Sequence, residues 1–266
     1  MDQYVARQEK SMTKPPSTRQ PKGGRWPNVL SWLSVLALLA AVLLMGGAGP
    51  AYRGELIALG DAFSLLRYGA YLAASAALLG VLVLVLSVFT RRPGAGVVAI
   101  TVFVGTVALL YMPWQQWQRA QQAPVIHDIT TDTQNPPTFD ALRDAREAAP
   151  NGVDYPGEET ARQQQDAYPE VQPLVVAAPL SRVLSAAQSE VESAGWQIAA
   201  ISDRTIEATA ETRWFGFKDD VVIRLSEQED GVKVDMRSAS RLGASDVGTN
   251  AQRIESFLGG LEERLE

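Results

Sequence analysis

A chain of 266 residues with no cysteine and a single histidine cannot hold disulfides, cysteine-ligated zinc or iron–sulfur clusters, a thiolate nucleophile or a two-histidine relay. Its apolar residues, 46% of the total, crowd into about residues 29–114, and the net charge of −6 hides a basic start and an acidic remainder. That division excludes one water-soluble globule and points to a membrane protein with a soluble extension.

Residues 1–25 carry Arg7, Lys10, Lys14, Arg19, Lys22 and Arg25 among Pro, Ser, Thr and Gln with no apolar pattern, and read as a disordered cytoplasmic tail. Residues 26–114 contain three uncharged stretches, at about 29–48, 68–89 and 94–113. Each approaches the ~20 residues that a ~30 Å hydrocarbon core requires of a helix. None shows a polar face at helical period, so three transmembrane helices are expected rather than a soluble bundle. The first is too long for a signal peptide and is followed by two more, which makes it an uncleaved anchor. Gly69, Ala73 and Ala77 form a stripe of small residues on the second span, suited to close packing against this chain's own first or third span. No ionisable residue lies within a span, which argues against a proton or ion path.

Basic residues set the direction. The tail and the Arg91-Arg92 loop are basic, whereas the loop near residues 50–67 balances Arg53 and Arg67 with Glu55 and Asp61. The positive-inside rule then places the N-terminus in the cytoplasm, and three crossings put the C-terminal domain outside, in the periplasm if the chain sits in a bacterial inner membrane.

Residues 115–124 form a polar linker that continues the third helix, and residues 125–266 form the soluble domain. From Arg119 onward, 14 Lys or Arg stand against 26 Asp or Glu, a net −12. Such a surface repels phosphate backbones, so nucleic acid is not an expected partner. Val125–Ile129 is a candidate strand, and short helices are expected near 139–149 and 159–167. Leu180, Val183, Leu184, Ala187, Val191 and Ala194 recur at helical spacing between Pro179 and Gly195. Strands are expected over 196–201, 205–212, 220–225 and 232–236. In the last of these Val232, Val234 and Met236 alternate with Lys233, Asp235 and Arg237, the pattern of a sheet with one wet face. Ile254, Leu258, Leu261 and Leu265 mark a closing helix, with Thr249 and Gln252 as a candidate capping box. This order predicts an α+β domain, an antiparallel sheet of about four or five strands with helices on one face.

Three passages, residues 126–139, 206–222 and 235–254, resemble the domain-of-unknown-function 1499 family, whose bacterial members often carry N-terminal membrane spans. The resemblance covers most of residues 125–262. It implies no reaction, cofactor or ligand, so no functional residue is carried over from it.

Candidate chemistry is sparse. His127 with Asp128 and Asp132 is a conceivable metal site, although a lone histidine beside an aspartate more often makes a structural hydrogen bond. Asp219 and Asp220 are candidate paired carboxylates for acid–base work or a calcium-type oxygen site, while solvated turn charges or a salt bridge to an arginine are the plainer roles. Arg237, Ser240, Arg241, Ser245, Asp246 and Asn250 lie in a Ser- and Gly-rich run before the last helix, where an anion can dock on free backbone N–H groups. The plainer reading is that Asp246 caps that helix and pairs with Arg241. No catalytic set, metal site or cofactor motif is recognisable. The expectation is a membrane-anchored, periplasmic, non-catalytic module that binds a protein partner or a small anionic ligand. The alternative is a cell-envelope hydrolase or lyase using Asp219, Asp220 and the Arg237–Asn250 loop, which requires a pocket joining those segments.

Overall fold

The computed structural model describes residues 24–266, so the expected disordered tail, residues 1–25, lies outside the described residues except for its last two. By its contacts the chain divides into two compact units: residues up to Gly47 with Phe63–Leu110, and Ala48–Ala62 with Tyr111–Glu266.

Three helices supply the first unit: α1 (Trp26–Arg53), α2 (Leu59–Thr90) and α3 (Pro93–Gln122), each long and apolar enough to cross a membrane. Leu36, Leu43, Leu78, Val88 and Phe89 are exposed along them, an arrangement suited to a lipid surrounding. Where α1 meets α2, a methyl group on Gly69 would collide with the Met45 side chain, so the small-residue stripe does pack within the chain. Of that stripe Gly69 and Ala73 are buried and Ala77 is half-buried. The helices run past the expected spans, and α3 continues through the polar linker to Gln122.

The second unit contains β1 (Asp128–Thr130), α4 (Arg143–Glu147), α5 (Glu158–Ala167), β2 (Leu174–Val176), α6 (Leu180–Ser193), β3 (Gln197–Ile201), β4 (Thr205–Glu211), β5 (Lys218–Gln228), β6 (Gly231–Ser240) and α7 (Thr249–Leu265). The sheet is antiparallel throughout, in the order β1-β6-β5-β4-β3, with β2 pairing the same outer edge of β6 that β1 pairs further along. It therefore has six strands, and three-residue β2, hemmed between prolines at 173 and 179, carries too short a pattern to be read from sequence. The β5–β6 hairpin turns at Gly231, whose φ of +140° and approach to the Val176 carbonyl leave no room for a side chain.

Strand alternation sorts the side chains onto two faces. Val221, Ile223, Leu225, Val232, Val234 and Met236 pack with Val183, Ala187 and Val191 of α6 and with Ile254, Phe257 and Leu261 of α7 in one continuous core. The opposite face, expected to be wet, is covered by the segment 131–157. Phe139 and Leu142 close there over Val222 and Ala239, and Asp235 and Arg237 are 1% and 2% exposed. The alternation was legible, but these charges are solvated by each other rather than by water.

Within this unit the α1–α2 connection packs on the β4–β5 turn. The Tyr52 ring lies 6.0 Å from Phe215 and 5.8 Å from Phe217. Arg53 pairs with Glu211 at 2.7 Å and donates to the Arg213 carbonyl at 2.9 Å.

Candidate functional site

The covered face of the sheet gathers the charges. On β6, Lys233, Asp235, Arg237 and Ala239 point the same way because strand side chains alternate with period two, and Arg241 follows just past its end. The register sets Asp220 of β5 and Asp128 of β1 on either side of Ala239. Two carboxylates thus flank one small residue, and three arginines meet them. Arg237 holds Asp128 bidentately at 2.9 and 2.7 Å, and Arg241 holds Asp220 bidentately at 2.8 and 2.8 Å. Arg146 of α4, wholly buried, reaches Asp220 at 3.2 Å and the Ala239 carbonyl at 2.8 Å. Guanidinium forks match carboxylates in shape, which is why arginine serves in such dry pairs. The pair with Asp220 holds the Arg241 proton more tightly than usual, whereas burial lowers the pKa of Arg146.

Aromatic rings close over these cations. Arg237 lies 4.9 Å from the Phe139 ring and 5.6 Å from the Tyr155 ring, and Arg146 lies 4.7 Å from Phe139. Arg237 also donates to the carbonyls of Pro137 and Val153, tying the covering segment to the sheet. Glu207 of β4 adds a second tie, accepting the N–H groups of Asp140, Ala141 and Leu142 at 2.9, 2.9 and 3.0 Å just before α4. Gln164 of α5 pairs its side-chain amide with both backbone groups of Thr130, closing the outer edge of β1. Further along, Arg224 and Lys233 share Asp132 and Asp235 at 3.0 to 3.3 Å.

A cavity of about 210 Å³ opens between the covering segment and the sheet, lined among others by Pro136, Phe139, Arg143, Val153, Tyr155 and Arg237. Burial, with the charge of Asp128, pushes the Tyr155 hydroxyl up to about 12, against the pull of Arg237. That hydroxyl is buried without a hydrogen-bond partner, as are Nε and Nη2 of Arg146.

The sequence-predicted residues do not form one site. Asp128, Asp220, Arg237 and Arg241 meet on the covered face. Asp219, one residue from Asp220, points to the helix face and pairs with Arg253 of α7 at 2.6 Å. Adjacent strand residues face opposite ways, so the two aspartates never become paired carboxylates. Ser240 and Asn250 also belong to the helix side. Asn250 donates to Ser240 at 3.0 Å and to the His127 carbonyl at 3.0 Å, and accepts from Ser238 at 2.7 Å and from Arg253. Ser245 donates to the Pro124 carbonyl, and Asp246 accepts the N–H groups of Gly248 and Asn250 at 2.8 and 2.9 Å, capping α7. The expected Asp246–Arg241 pair does not form, because Arg241 lies on the other face with Asp220. Nor does the cap rest on Thr249 and Gln252: the cap residue is Gly248, which has no side chain to bond with, and the Asp246 carboxylate takes that work. His127 makes no bond to Asp128, whose carboxylate Arg237 occupies, and its Nδ1 is buried without a partner. Among the described residues no three histidine, aspartate or glutamate side chains converge in a way that could hold a metal ion. Sequence reasoning missed Arg146, Glu207, Arg253 and Tyr155, whose partners lie tens of residues away.

The class these features define is an α+β domain whose antiparallel sheet is covered by helices on one face and braced by buried arginine–carboxylate pairs on the other, with three membrane-length helices preceding it. Residues 128–261, half of the chain, match the family described as Protein of unknown function (DUF1499), and the protein belongs to that family. A comparison with curated proteins finds no match.

Proposed function

We propose that this protein is a membrane-anchored, non-catalytic binding module whose C-terminal domain stands on the far side of a bacterial inner membrane from its N-terminus. One observation carries the non-catalytic part. The buried carboxylates Asp128, Asp219, Asp220, Asp235 and Glu207 are each spent on arginine, lysine or backbone N–H partners, which leaves none of them poised as a general acid, base or nucleophile. A hydrolase or lyase built on Asp219 and Asp220 needs both in one pocket, and they face opposite sides of the sheet.

The orientation draws support from two sources. Basic residues flank the first span and fill the Arg91-Arg92 loop. Contacts of Tyr52 and Arg53 with the β4–β5 turn support the crossing count, since the α1–α2 connection and the domain share one side when α2 and α3 each cross once.

Full-length protein, purified in detergent and offered cell-envelope esters, phosphomonoesters, glycosides and peptides, should show no turnover that Asp220→Asn abolishes. A tag after Glu266 in intact cells should be cleaved by protease added from the periplasmic side. Asp220-dependent turnover defeats the binding-module reading, and cleavage from the cytosol alone defeats the orientation.

A further inference from the structure

We propose that the cavity between β6 and the 136–155 segment takes a small oxyanion, a carboxylate or phosphate group, held between Arg143 and Arg237. The proposal deepens the binding-module reading and rests on it. Three observations converge.

The first is charge. Although the domain is acidic overall, the cavity is lined by two arginines, Arg143 and Arg237, against one carboxylate, Asp154, and the buried layer behind it sets Arg146, Arg237 and Arg241 against Asp128 and Asp220. That excess of guanidinium over carboxylate at the lining makes it a favourable place for an anion.

The second is hydrogen bonding. Buried polar groups in folded proteins are nearly always paired. Here the hydroxyl of Tyr155, which lines the cavity, is not. A guanidinium offers only donors, and a phenol that stays protonated throughout the physiological range is available as another. An oxyanion offers that phenol and the two guanidiniums acceptor atoms, which a metal cation or ammonium group does not.

The third is size and shape. At about 210 Å³ the cavity falls below the ~300 Å³ at which pockets for whole drug-sized ligands begin, so it fits a single acidic group. Phe139, Val153 and Pro136 give it apolar walls, so the acidic group should carry an apolar neighbour rather than a second charge.

The test uses the full chain in detergent at fixed ionic strength, with inorganic phosphate and acetate as probes and chloride as the control. Thermal unfolding and calorimetric titration should show saturable stabilisation by at least one probe and none by chloride. Arg143→Gln should weaken the affinity about tenfold, the usual scale for losing one charge-assisted contact. That variant should still fold, because Arg143 pairs only with exposed Asp140 and Glu147, at 4.0 and 3.6 Å. Tyr155→Phe keeps the ring on Arg237 and removes the orphan hydroxyl, so the unliganded midpoint should hold or rise while the response to the probe falls. Arg204→Gln, which breaks only an exposed pair with Glu227, should leave the response intact. A response to phosphate alone assigns a phosphate-bearing ligand, and a response to acetate, alone or with phosphate, assigns a carboxylate. The absence of saturable stabilisation, or a response undiminished in Arg143→Gln, overturns the site. Neither result bears on turnover, so the site can fail while the binding-module reading stands, and Asp220-dependent turnover sinks that reading whatever the anions do.

Discussion

Against α6 and α7 the sheet presents Val221, Ile223, Leu225, Val232, Val234 and Met236; one residue along the same strands, on the other side, it presents Asp220, Arg224, Lys233, Asp235 and Arg237. Water is kept from both sides. On the helix face burial itself is favourable, by roughly 25 cal/mol for each Å² of apolar surface withdrawn. On the charged face burial is costly, and bidentate pairs and stacked rings only offset it, so that face adds little net stability while penalising any arrangement that separates a pair. One face sets how stable the domain is; the other sets which segment must cover it.

The largest expected effect breaks a pair on the charged face. Arg237→Met leaves the Asp128 carboxylate buried and alone, and should cost about 3–5 kcal/mol. Hydrogen exchange of β1 and β6 amides in the full-length protein reads that loss locally. Adding Asp128→Leu should restore part of it, since a well-packed apolar pair is often no worse than a buried ion pair. A cost below about 1 kcal/mol for Arg237→Met is what solvent-exposed pairs show, and would erase the contrast between the faces. On the helix face, Ile254→Ala should cost roughly 3 kcal/mol by opening a cavity between α7 and the sheet, while Ile254→Val should cost about 1 kcal/mol. The graded response to volume is the signature of the apolar face. The charged face should instead respond to whether a partner is present.

That contrast also explains what the sequence discloses. Local rules found the three spans from missing charge, α6 and α7 from helical spacing, and the alternation along β6 from period two. They misjudged Lys233, Asp235 and Arg237, because a charge in a strand is read as solvated unless its partner is known. The partners Asp128 and Asp132 sit about a hundred residues earlier, in a stretch with little pattern of its own. Arg146 had no local sign either, being one of two arginines in a five-residue helix of mostly charged residues. Asp219 and Asp220 do make the salt bridges to arginine that their sequence allowed, and the paired-carboxylate alternative fails for a smaller reason. Starting β5 at Asp220 rather than Lys218 hides the fact that both lie in the strand, where alternation alone assigns them to opposite faces.

A smaller effect tests where the helix face ends. Asp246→Ala removes the carboxylate that caps α7 through Gly248 and Asn250, and should cost about 1 kcal/mol, appearing as faster exchange in the first turn of α7 only. Spread of that loss into β6 would mean that the Ser238–Ser240–Asn250–Arg253 contacts depend on the cap, and that the two faces are less independent than their separate partners suggest.

The smallest effect is a difference in slope with pH, and its sign separates a paired carboxylate from a capping one. Burial raises the pKa of Asp132, but bonds from Asn135, Lys233 and Gln134 outweigh it, and the net value lies below the ordinary 3.8. The folded state therefore binds this proton less tightly than the unfolded chain, so the stability it contributes is present above 3.8 and is lost as pH falls through the lower folded value. For Lys233, burial is likewise outweighed, here by Asp235 and Asp132. Its raised value means that its contribution is lost only as pH climbs above 10.5. Asp246 runs the other way, since burial outweighs the N–H groups of Asn250 and Gly248 and raises it. Its contribution is present below 3.8 and lost as pH rises through the higher folded value. Asn at 132 keeps an acceptor for the N–H groups of Gln134 and Asn135, so Asp132→Asn isolates the charge. The thermal midpoint of the full chain, followed from neutral into acid, should fall less steeply in Asp132→Asn than in the parent and more steeply in Asp246→Asn. Matching slopes in all three proteins would show that the charge partners on the covered face exert no pull across the acid range, and the pairing that distinguishes that face from the apolar one would lose its electrostatic basis.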